Sequence, residues 1–231
     1  MEIIGYNNHT DVCVRFEDGT IVDHVKYRSF KEQKLVNYNI PSYLGVGYRG
    51  YGIYKTREGN VKTKAYIKWG SMLTRCYSEK YIKSQNYINC TVCEEWKNYQ
   101  NFAKWYYKNE YQLPNNEKLE LDKDIKIKGN KIYSPDTCLL LPHILNTIFL
   151  DGKNDRGLYK IGVTKTKNNK YTASCMNENG ENKYIGIYST EQEAYNAYIT
   201  KKKEIVDNVV DKYKTFLPKD VYEAVKNYKI I

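Results

Sequence analysis

The chain has 231 residues, which is enough for one large domain or two to three small ones, and it carries a net charge of +10. This charge predicts a polyanionic partner, although the abundance of Lys, Asn, Ile and Tyr also fits a solvated, lysine-rich surface. No apolar run approaches the roughly 20 residues that span a bilayer, and no charged leader precedes an apolar stretch. We therefore expect a cytoplasmic protein that does not enter membranes.

The pattern of residues 1–55 predicts a small β-barrel-like module. Val12 and Val14 alternate with polar residues, and an Asp-Gly turn separates them from a second apolar strand. The glycine-rich segment 44–52 follows, with Arg49 among tyrosines. This segment is either a basic-aromatic loop that contacts nucleic acid or a plain linker.

Residues 56–150 predict a second domain that begins with helices. Apolar side chains recur at helical spacing along two stretches and predict two buried faces. These side chains are Trp69, Met72, Leu73, Cys76 and Tyr77 in the first stretch, and Trp96, Tyr99, Phe102, Ala103 and Tyr106 in the second.

The second domain ends in a predicted strand–turn–strand–helix element. A strand over 119–125 precedes a Gly-Asn turn, an apolar stretch covers 138–141, and a helix begins at Pro142.

Residues 155–231 predict a third domain with three short strands and two helices. Thr190 and Glu193 have the spacing of a capping box that opens a long helix, and a last helix starts near Pro218. The predicted class is therefore α+β, with a small N-terminal β-module, a central helical plus ββα domain, and a C-terminal three-stranded sheet with a packed helix.

The central domain resembles a large group of bacteriophage HNH-like (homing-endonuclease-type) proteins in both the order and the spacing of its residues. The resemblance implies a ββα nuclease element and a chain that acts inside a bacterial host cell. The matching residues are Trp69, Met72, Leu73, Arg75, Cys76, Tyr77, Cys90, Val92, Cys93, Glu94, Glu95, Trp96, Phe102, Trp105, Leu121, Asp122, Lys123, Asp124, Ile125, Tyr133, Ser134, Pro135, Thr137, Cys138, Pro142 and Asn146.

HNH chemistry uses a histidine to activate water and a divalent metal to steady the scissile phosphate. The resemblance makes Asp122 and Asn146 candidate ligands of Mg²⁺ or Mn²⁺, and Asn130 the residue that braces the loop. Lys123 occupies the position of the histidine, and a protonated lysine can hold a phosphate but cannot remove a proton. His143 lies one helical turn before Asn146 and is either a substitute base or a surface histidine. Asp122, Lys123 and His143 are thus the candidate catalytic residues.

A zinc site is a separate possibility. Cys90 and Cys93 have the spacing of a zinc knuckle, and Cys76 and Cys138 would complete four thiolates. The sequence has no second tight pair, and free thiols pack equally well in these apolar stretches. A zinc site and four buried thiols remain as alternatives.

The third domain resembles the plant apetala-type DNA-binding domain that also occurs in phage and mobile-element endonucleases. The matching residues are Ile161, Gly162, Val163, Lys170, Tyr171, Ala173, Tyr184, Ile185, Gly186, Glu193, Ala194, Ala197 and Tyr198. The resemblance implies that the outer face of the sheet contacts double-stranded DNA.

The family places arginines and tryptophans on this outer face, where they contact bases. The side chains at the corresponding positions of this chain are less suited to contact bases. These positions are Ile161, Thr164, Ser174, Met176 and Tyr184. Lysines nearby bind phosphate without reading sequence, so we expect modest or shape-based specificity. The candidate nucleic-acid-binding residues are Lys165, Lys167, Lys170, Ser174, Lys183, Tyr184 and, from the N-terminal segment, Arg49.

Three functions are compatible with the sequence. The first is a phage-type DNA-binding protein with a degenerate HNH-like centre. The second is an active, metal-dependent HNH endonuclease. The third is a phage effector that binds a host protein or ribonucleoprotein to block a defence system.

Overall fold

The structure, a computed structural model, describes residues 1–82, 87–149 and 158–228. It confirms the α+β class: five small sheets and eight α-helices alternate along the described ranges. None of the described helices is both long and apolar enough to cross a membrane. Two hydrophobic cores are present in these ranges, a small one near the N-terminus and a large one that extends from Ala65 to Val225.

The N-terminal module is an open antiparallel sheet followed by one helical turn. Its elements are β1 Glu2–Asn8, β2 Asp11–Arg15, β3 Ile21–Val25 and α1 Tyr27–Lys31. The strands lie in the order β1-β2-β3, and Val12, Val14 and Val25 form their own core. The predicted alternation is confirmed, because Val12 and Val14 are fully buried.

The glycine-rich segment 44–52 packs against the central helices and is not a free linker. Tyr48 forms a parallel bridge to Asn98. A Cβ on Gly47 would lie 2.4 Å from Leu73 Cδ1, so only glycine lets the backbone approach this closely.

The central helices bury the faces that the sequence predicts. This part contains β4 Arg57–Glu58, β5 Val61–Lys62, α2 Lys64–Tyr77, α3 Glu79–Ile82, β6 Thr91–Val92, α4 Glu94–Lys97, α5 Tyr99–Asn109 and a 3₁₀ turn, Pro114–Asn116. Thr63 caps α2 by accepting a hydrogen bond from the amide of Tyr66. The second apolar stretch forms two helices, α4 and α5, which are separated at Asn98. Asn98 has an extended backbone, and its side chain caps α5 by accepting a hydrogen bond from the amide of Gln100.

The predicted strand–turn–strand–helix element is present. It consists of β7 Leu119–Asp122, β8 Ile132–Tyr133, β9 Leu139–Pro142 and α6 His143–Ile148. Strands β7 and β9 pair antiparallel, while β8 pairs in parallel with β6. The first strand ends at Asp122 and not at Ile125, because the Asp122 side chain bonds the amides of Asp124 and Ile125 in place of a ladder partner.

The C-terminal part is a three-stranded antiparallel sheet backed by a long helix. Its elements are β10 Val163–Lys165, β11 Tyr171–Met176, β12 Asn182–Tyr188, α7 Glu191–Tyr213 and α8 Lys219–Lys226. The predicted capping box is present, because Thr190 and Glu193 each bond the other's backbone amide.

The C-terminal part shares the large core with the central helices. The Phe149 and Tyr228 rings meet at 4.6 Å, and the Tyr213 hydroxyl donates to Glu117 at 2.7 Å. The predicted domain boundary at 150–155 lies outside the described residues.

Candidate nucleic-acid interface and HNH-like centre

The Asp122 carboxylate is turned toward the backbone of its own loop. Its Oδ1 accepts hydrogen bonds from the amides of Asp124 at 2.9 Å and Ile125 at 2.8 Å. Burial, followed by the nearby negative charge of Asp124, raises the pKa of Asp122 to about 7, although both amides oppose the shift. One of the two carboxylate oxygens is already engaged by backbone amides.

Lys123 occupies the predicted place of the catalytic histidine and points inward. Its side chain is only 7% exposed and its ammonium lies 3.0 Å from the Asp124 carboxylate. Burial alone would lower the pKa of Lys123, but the charge of Asp124 and its hydrogen bond outweigh burial, and the pKa is raised. The group therefore stays protonated and cannot act as a general base.

Asn130 braces the loop as the sequence predicts. Its side-chain amide donates to the carbonyls of Lys123 and Ile132, each at 2.7 Å, and its Oδ1 accepts from the Ile132 amide. The two ends of the loop between β7 and β8 are thereby tied together. The side chains of Asn130 and Asp122 thus bond backbone groups that the strands leave unpaired.

The residues predicted on α6 lie one turn apart. His143 is exposed at the start of the helix, and Asn146 is half-buried. Within the ranges 1–82, 87–149 and 158–228, no three His, Cys, Asp or Glu side chains gather as a metal site. The Mg²⁺ or Mn²⁺ site at Asp122 and Asn146 stays a prediction.

The four cysteines of the predicted zinc site are on separate elements around the central core. Cys76, Cys90 and Cys138 are buried, Cys93 is half-buried, and none forms a disulfide. Burial raises the pKa of both Cys76 and Cys138 to about 12. The zinc prediction gains no support from this geometry.

The outer face of the β10–β12 sheet is open to solvent. Strand register places Ser174 opposite Tyr184, and Thr172 opposite both Thr164 and Ile187, so these side chains share the face away from α7. Tyr184 is 66% exposed. The inner face instead carries Ala173 and Cys175, both buried against the helix. Ile161, which the sequence places on the outer face, packs against the core.

The predicted lysines lie at one end and along the edges of this sheet, and Lys165 is on the side of Val163 and Tyr171, not on the outer face. Lys167 and Lys170 are exposed in the turn between β10 and β11, and the ammonium of Lys165 lies 5.8 Å from the Tyr171 ring. Lys183 forms an exposed ion pair with Glu181 at 3.0 Å. Lys165, Lys167 and Lys170 have no acidic partner among the described residues, so their charge is available to a polyanion.

Arg49 lies apart from the sheet, on the segment that packs against the central helices. Its guanidinium carbon sits 4.9 Å from the centre of the Tyr38 ring. Nothing in the described ranges connects it to the lysines of the sheet, so the structure does not assemble all the predicted nucleic-acid residues into one surface.

The sequence reasoning did not anticipate Thr172 and Ile187 on the outer face. The signal was present for Thr172, which lies two positions before Ser174 on the same strand. Ile187 was hidden, because the register shift between Ala173 and Ser174 puts Tyr184 and Ile187, three positions apart on β12, on the same face.

Comparison of the chain with protein-family models, with curated proteins and with solved structures finds no match. Function is therefore inferred from the side chains and their geometry. The fold defines an α+β protein in which a ββα element and a helix-backed three-stranded sheet share one core.

Proposed function

We propose that the protein binds double-stranded DNA through the outer face of the β10–β12 sheet, and that its HNH-like centre is a structural element without hydrolytic activity. The observation that carries this proposal is the open sheet face, which exposes Tyr184, together with three exposed lysines at one end of the same sheet. Lys165, Lys167 and Lys170 form no ion pair with an acidic side chain among the described residues. A three-stranded sheet fits a DNA groove, where lysines contact phosphates and small polar side chains contact the floor.

The HNH-like loop supports the second half of the proposal. Lys123 is held by Asp124, and Asp122 is held by backbone amides, so the groups that would activate water and bind a metal are engaged in the fold. The ββα element then serves to position the C-terminal sheet, since α6 packs on α7 and α8 packs on β9.

Removing the lysines of the sheet should weaken duplex binding. The triple variant K165Q/K167Q/K170Q is expected to bind about 10- to 100-fold less tightly at roughly 50 mM salt. The slope of log affinity against log salt should fall by about 2–3, because each lost phosphate contact releases about one counterion fewer. Fluorescence anisotropy with a labelled duplex measures both quantities.

The matched control is K26Q/K31Q/K34Q, which removes the same charge from exposed lysines of the N-terminal module. It should change affinity by less than about threefold, because these lysines lie on the module with the separate core. Equal losses in the two triple variants would show that net charge, and not the sheet, attracts DNA.

The absence of hydrolysis is tested with supercoiled plasmid and either Mg²⁺ or Mn²⁺. We expect the plasmid to stay intact, because the protonated Lys123 cannot accept a proton from water. Cleavage that the Asp122→Ala variant abolishes would instead establish the endonuclease, with Asp122 as a metal ligand.

A further inference from the structure

The outer face of the β10–β12 sheet carries a contiguous patch of side chains that are mostly apolar. Strand register places Ile187 opposite Thr172 and Tyr184 opposite Ser174, so these four side chains are neighbours. Met176 extends the patch along β11, two positions beyond Ser174. Ile187 is 50% exposed, and Tyr184 and Met176 are more exposed still. A contiguous exposed apolar patch is a feature of interaction surfaces.

The Thr172 side chain contributes a methyl group to this patch and not a hydrogen-bond donor. Its hydroxyl donates to the carbonyl oxygen of Thr164 on the neighbouring strand, at 3.1 Å. That hydrogen bond uses the only proton that the side chain has to donate. The methyl group is therefore the part of Thr172 that is left for contact with a ligand.

The outer face lacks the side chains that read G·C pairs. The three described strands contain no arginine, aspartate or glutamate. Their two lysines, Lys165 and Lys183, lie opposite Tyr171 and Cys175, on the side that packs against α7. Guanine is read mainly by arginine or lysine and cytosine by a carboxylate, whereas thymine presents a C5-methyl group in the major groove. The chemistry of the outer face therefore suits thymine.

The width of the sheet selects the groove in which such methyl groups lie. Neighbouring strands are about 4.8 Å apart, so β10 and β12 are separated by roughly 10 Å. The major groove of B-form DNA is about 12 Å wide and the minor groove about 6 Å. The three strands thus match the major groove, which is the groove that displays the thymine methyl group.

The charged groups orient a duplex on the sheet. The β10–β11 turn carries Lys167 and Lys170, and it is held by a hydrogen bond of 2.8 Å from the Thr166 amide to the Lys170 carbonyl. The β11–β12 turn, at the opposite end, instead carries two glutamates. Phosphates are therefore attracted to the lysine end, which is also the end at which Thr172 and Ile187 lie.

We infer that the sheet reads thymine in the major groove of duplex DNA, through contact of Thr172, Tyr184 and Ile187 with thymine C5-methyl groups. The inference rests on the proposed duplex binding and adds a sequence preference to it. Burying one methyl group in such a contact favours binding by about two- to fourfold. Two or three thymines in contact should then favour binding by about 5- to 50-fold.

Duplexes that differ only in methyl groups test the inference. A short duplex of A·T pairs is compared with the same duplex carrying uracil in place of thymine, by fluorescence anisotropy at roughly 50 mM salt. We expect the uracil duplex to bind about 5- to 50-fold less tightly. In a G·C duplex, 5-methylcytosine in place of cytosine adds a methyl group to the major groove and should tighten binding by about twofold or more. The phosphates are identical within each pair of duplexes, so their contribution cancels.

The variant Ile187→Ala locates the methyl contact. It should lower the preference for thymine over uracil by about two- to fourfold, and a ratio of two affinities is insensitive to any loss of folded protein. The control is Ile21→Ala, because Ile21 is 52% exposed on a strand of the N-terminal sheet and should not affect the preference. The triple variant K165Q/K167Q/K170Q should weaken binding of both duplexes by the same factor and keep the preference.

The inference is overturned if the thymine and uracil duplexes bind within about 1.5-fold of each other, or if Ile187→Ala keeps the full preference. It is also overturned if a duplex of inosine·cytosine pairs, which has the minor-groove pattern of A·T pairs but no thymine methyl group, binds as tightly as the A·T duplex. These results leave the proposed duplex binding intact. Failure of every duplex to bind at roughly 50 mM salt would instead overturn the proposed function, and this inference with it.

Discussion

Replacement of Gly162 by alanine is expected to lower the free energy of unfolding by about 3–4 kcal/mol. Gly162 immediately precedes β10 and has a φ of +74°, and its carbonyl accepts a hydrogen bond from the Ser174 amide. A Cβ at this position would lie 2.1 Å from the Cδ2 atom of Tyr198 on α7. The methyl group would therefore have to push the helix away from the sheet or break the strand pairing.

Gly180→Ala is the matched control for this substitution. Gly180 has nearly the same backbone angle, with a φ of +79°, but a Cβ there would meet no atom within 4 Å. The control therefore measures only the free-energy cost of placing alanine in a left-handed backbone conformation, which is about 1–2 kcal/mol. Urea unfolding of both variants separates the two contributions. Equal destabilisation would mean that Tyr198 is not packed against Gly162, and that the sheet and α7 are not fixed to each other as described.

The displacement of α7 in the Gly162→Ala variant should also weaken DNA binding. Helix α7 packs on the inner face of the sheet, with Ala173 and Cys175 buried between them. A displaced helix would disturb the relative positions of the turn lysines. We therefore expect the folded fraction of Gly162→Ala to bind duplex DNA more weakly than that of Gly180→Ala, although neither glycine carries charge.

Local patterns explain which parts of the fold were predictable from the sequence. The helix faces around Trp69 and Phe102 are confirmed because helical periodicity needs no knowledge of distant residues. The capping box at Thr190 is confirmed for the same reason, since its partners are three residues apart. The break at Asn98 was not predicted, because the apolar spacing continues across it while the Asn side chain begins a new helix.

Features of the candidate sites that depend on distant contacts could not be predicted. The sequence places a lysine at position 123, but its burial depends on the core that β7, β8 and α2 form together. The Tyr43 ring likewise packs on Trp69, with 5.3 Å between ring centres, although the two residues lie on different elements. No spacing rule links such positions.

The pH dependence of stability should depend strongly on Asp122. Burial raises the pKa of this carboxyl to about 7 in the folded chain, compared with about 3.9 in an unfolded one. The folded state thus holds the proton more tightly than the unfolded state. The stability from the protonated carboxyl is fully present below about pH 4 and is lost as the pH rises through about 7.

The variant Asp122→Asn isolates this effect. Its side-chain oxygen can still accept from the amides of Asp124 and Ile125, but the group does not ionise. The variant should gain about 2–3 kcal/mol of stability relative to the original chain as the pH is raised from about 5 to about 8. Urea unfolding at several pH values measures this gain. Carboxyls with lowered pKa values, such as Asp11 and Asp18, are common to both chains and cancel in the difference.

The control is Asp136→Asn, which removes a carboxyl group from an exposed position in the turn between β8 and β9. The result also bears on the choice between a binder and an endonuclease, because a metal ligand must be ionised at the working pH. A constant difference for Asp122→Asn would mean that Asp122 is ionised throughout this range. The carboxylate would then be available to Mg²⁺ or Mn²⁺, and the protonated Lys123 would be the remaining feature that opposes hydrolysis.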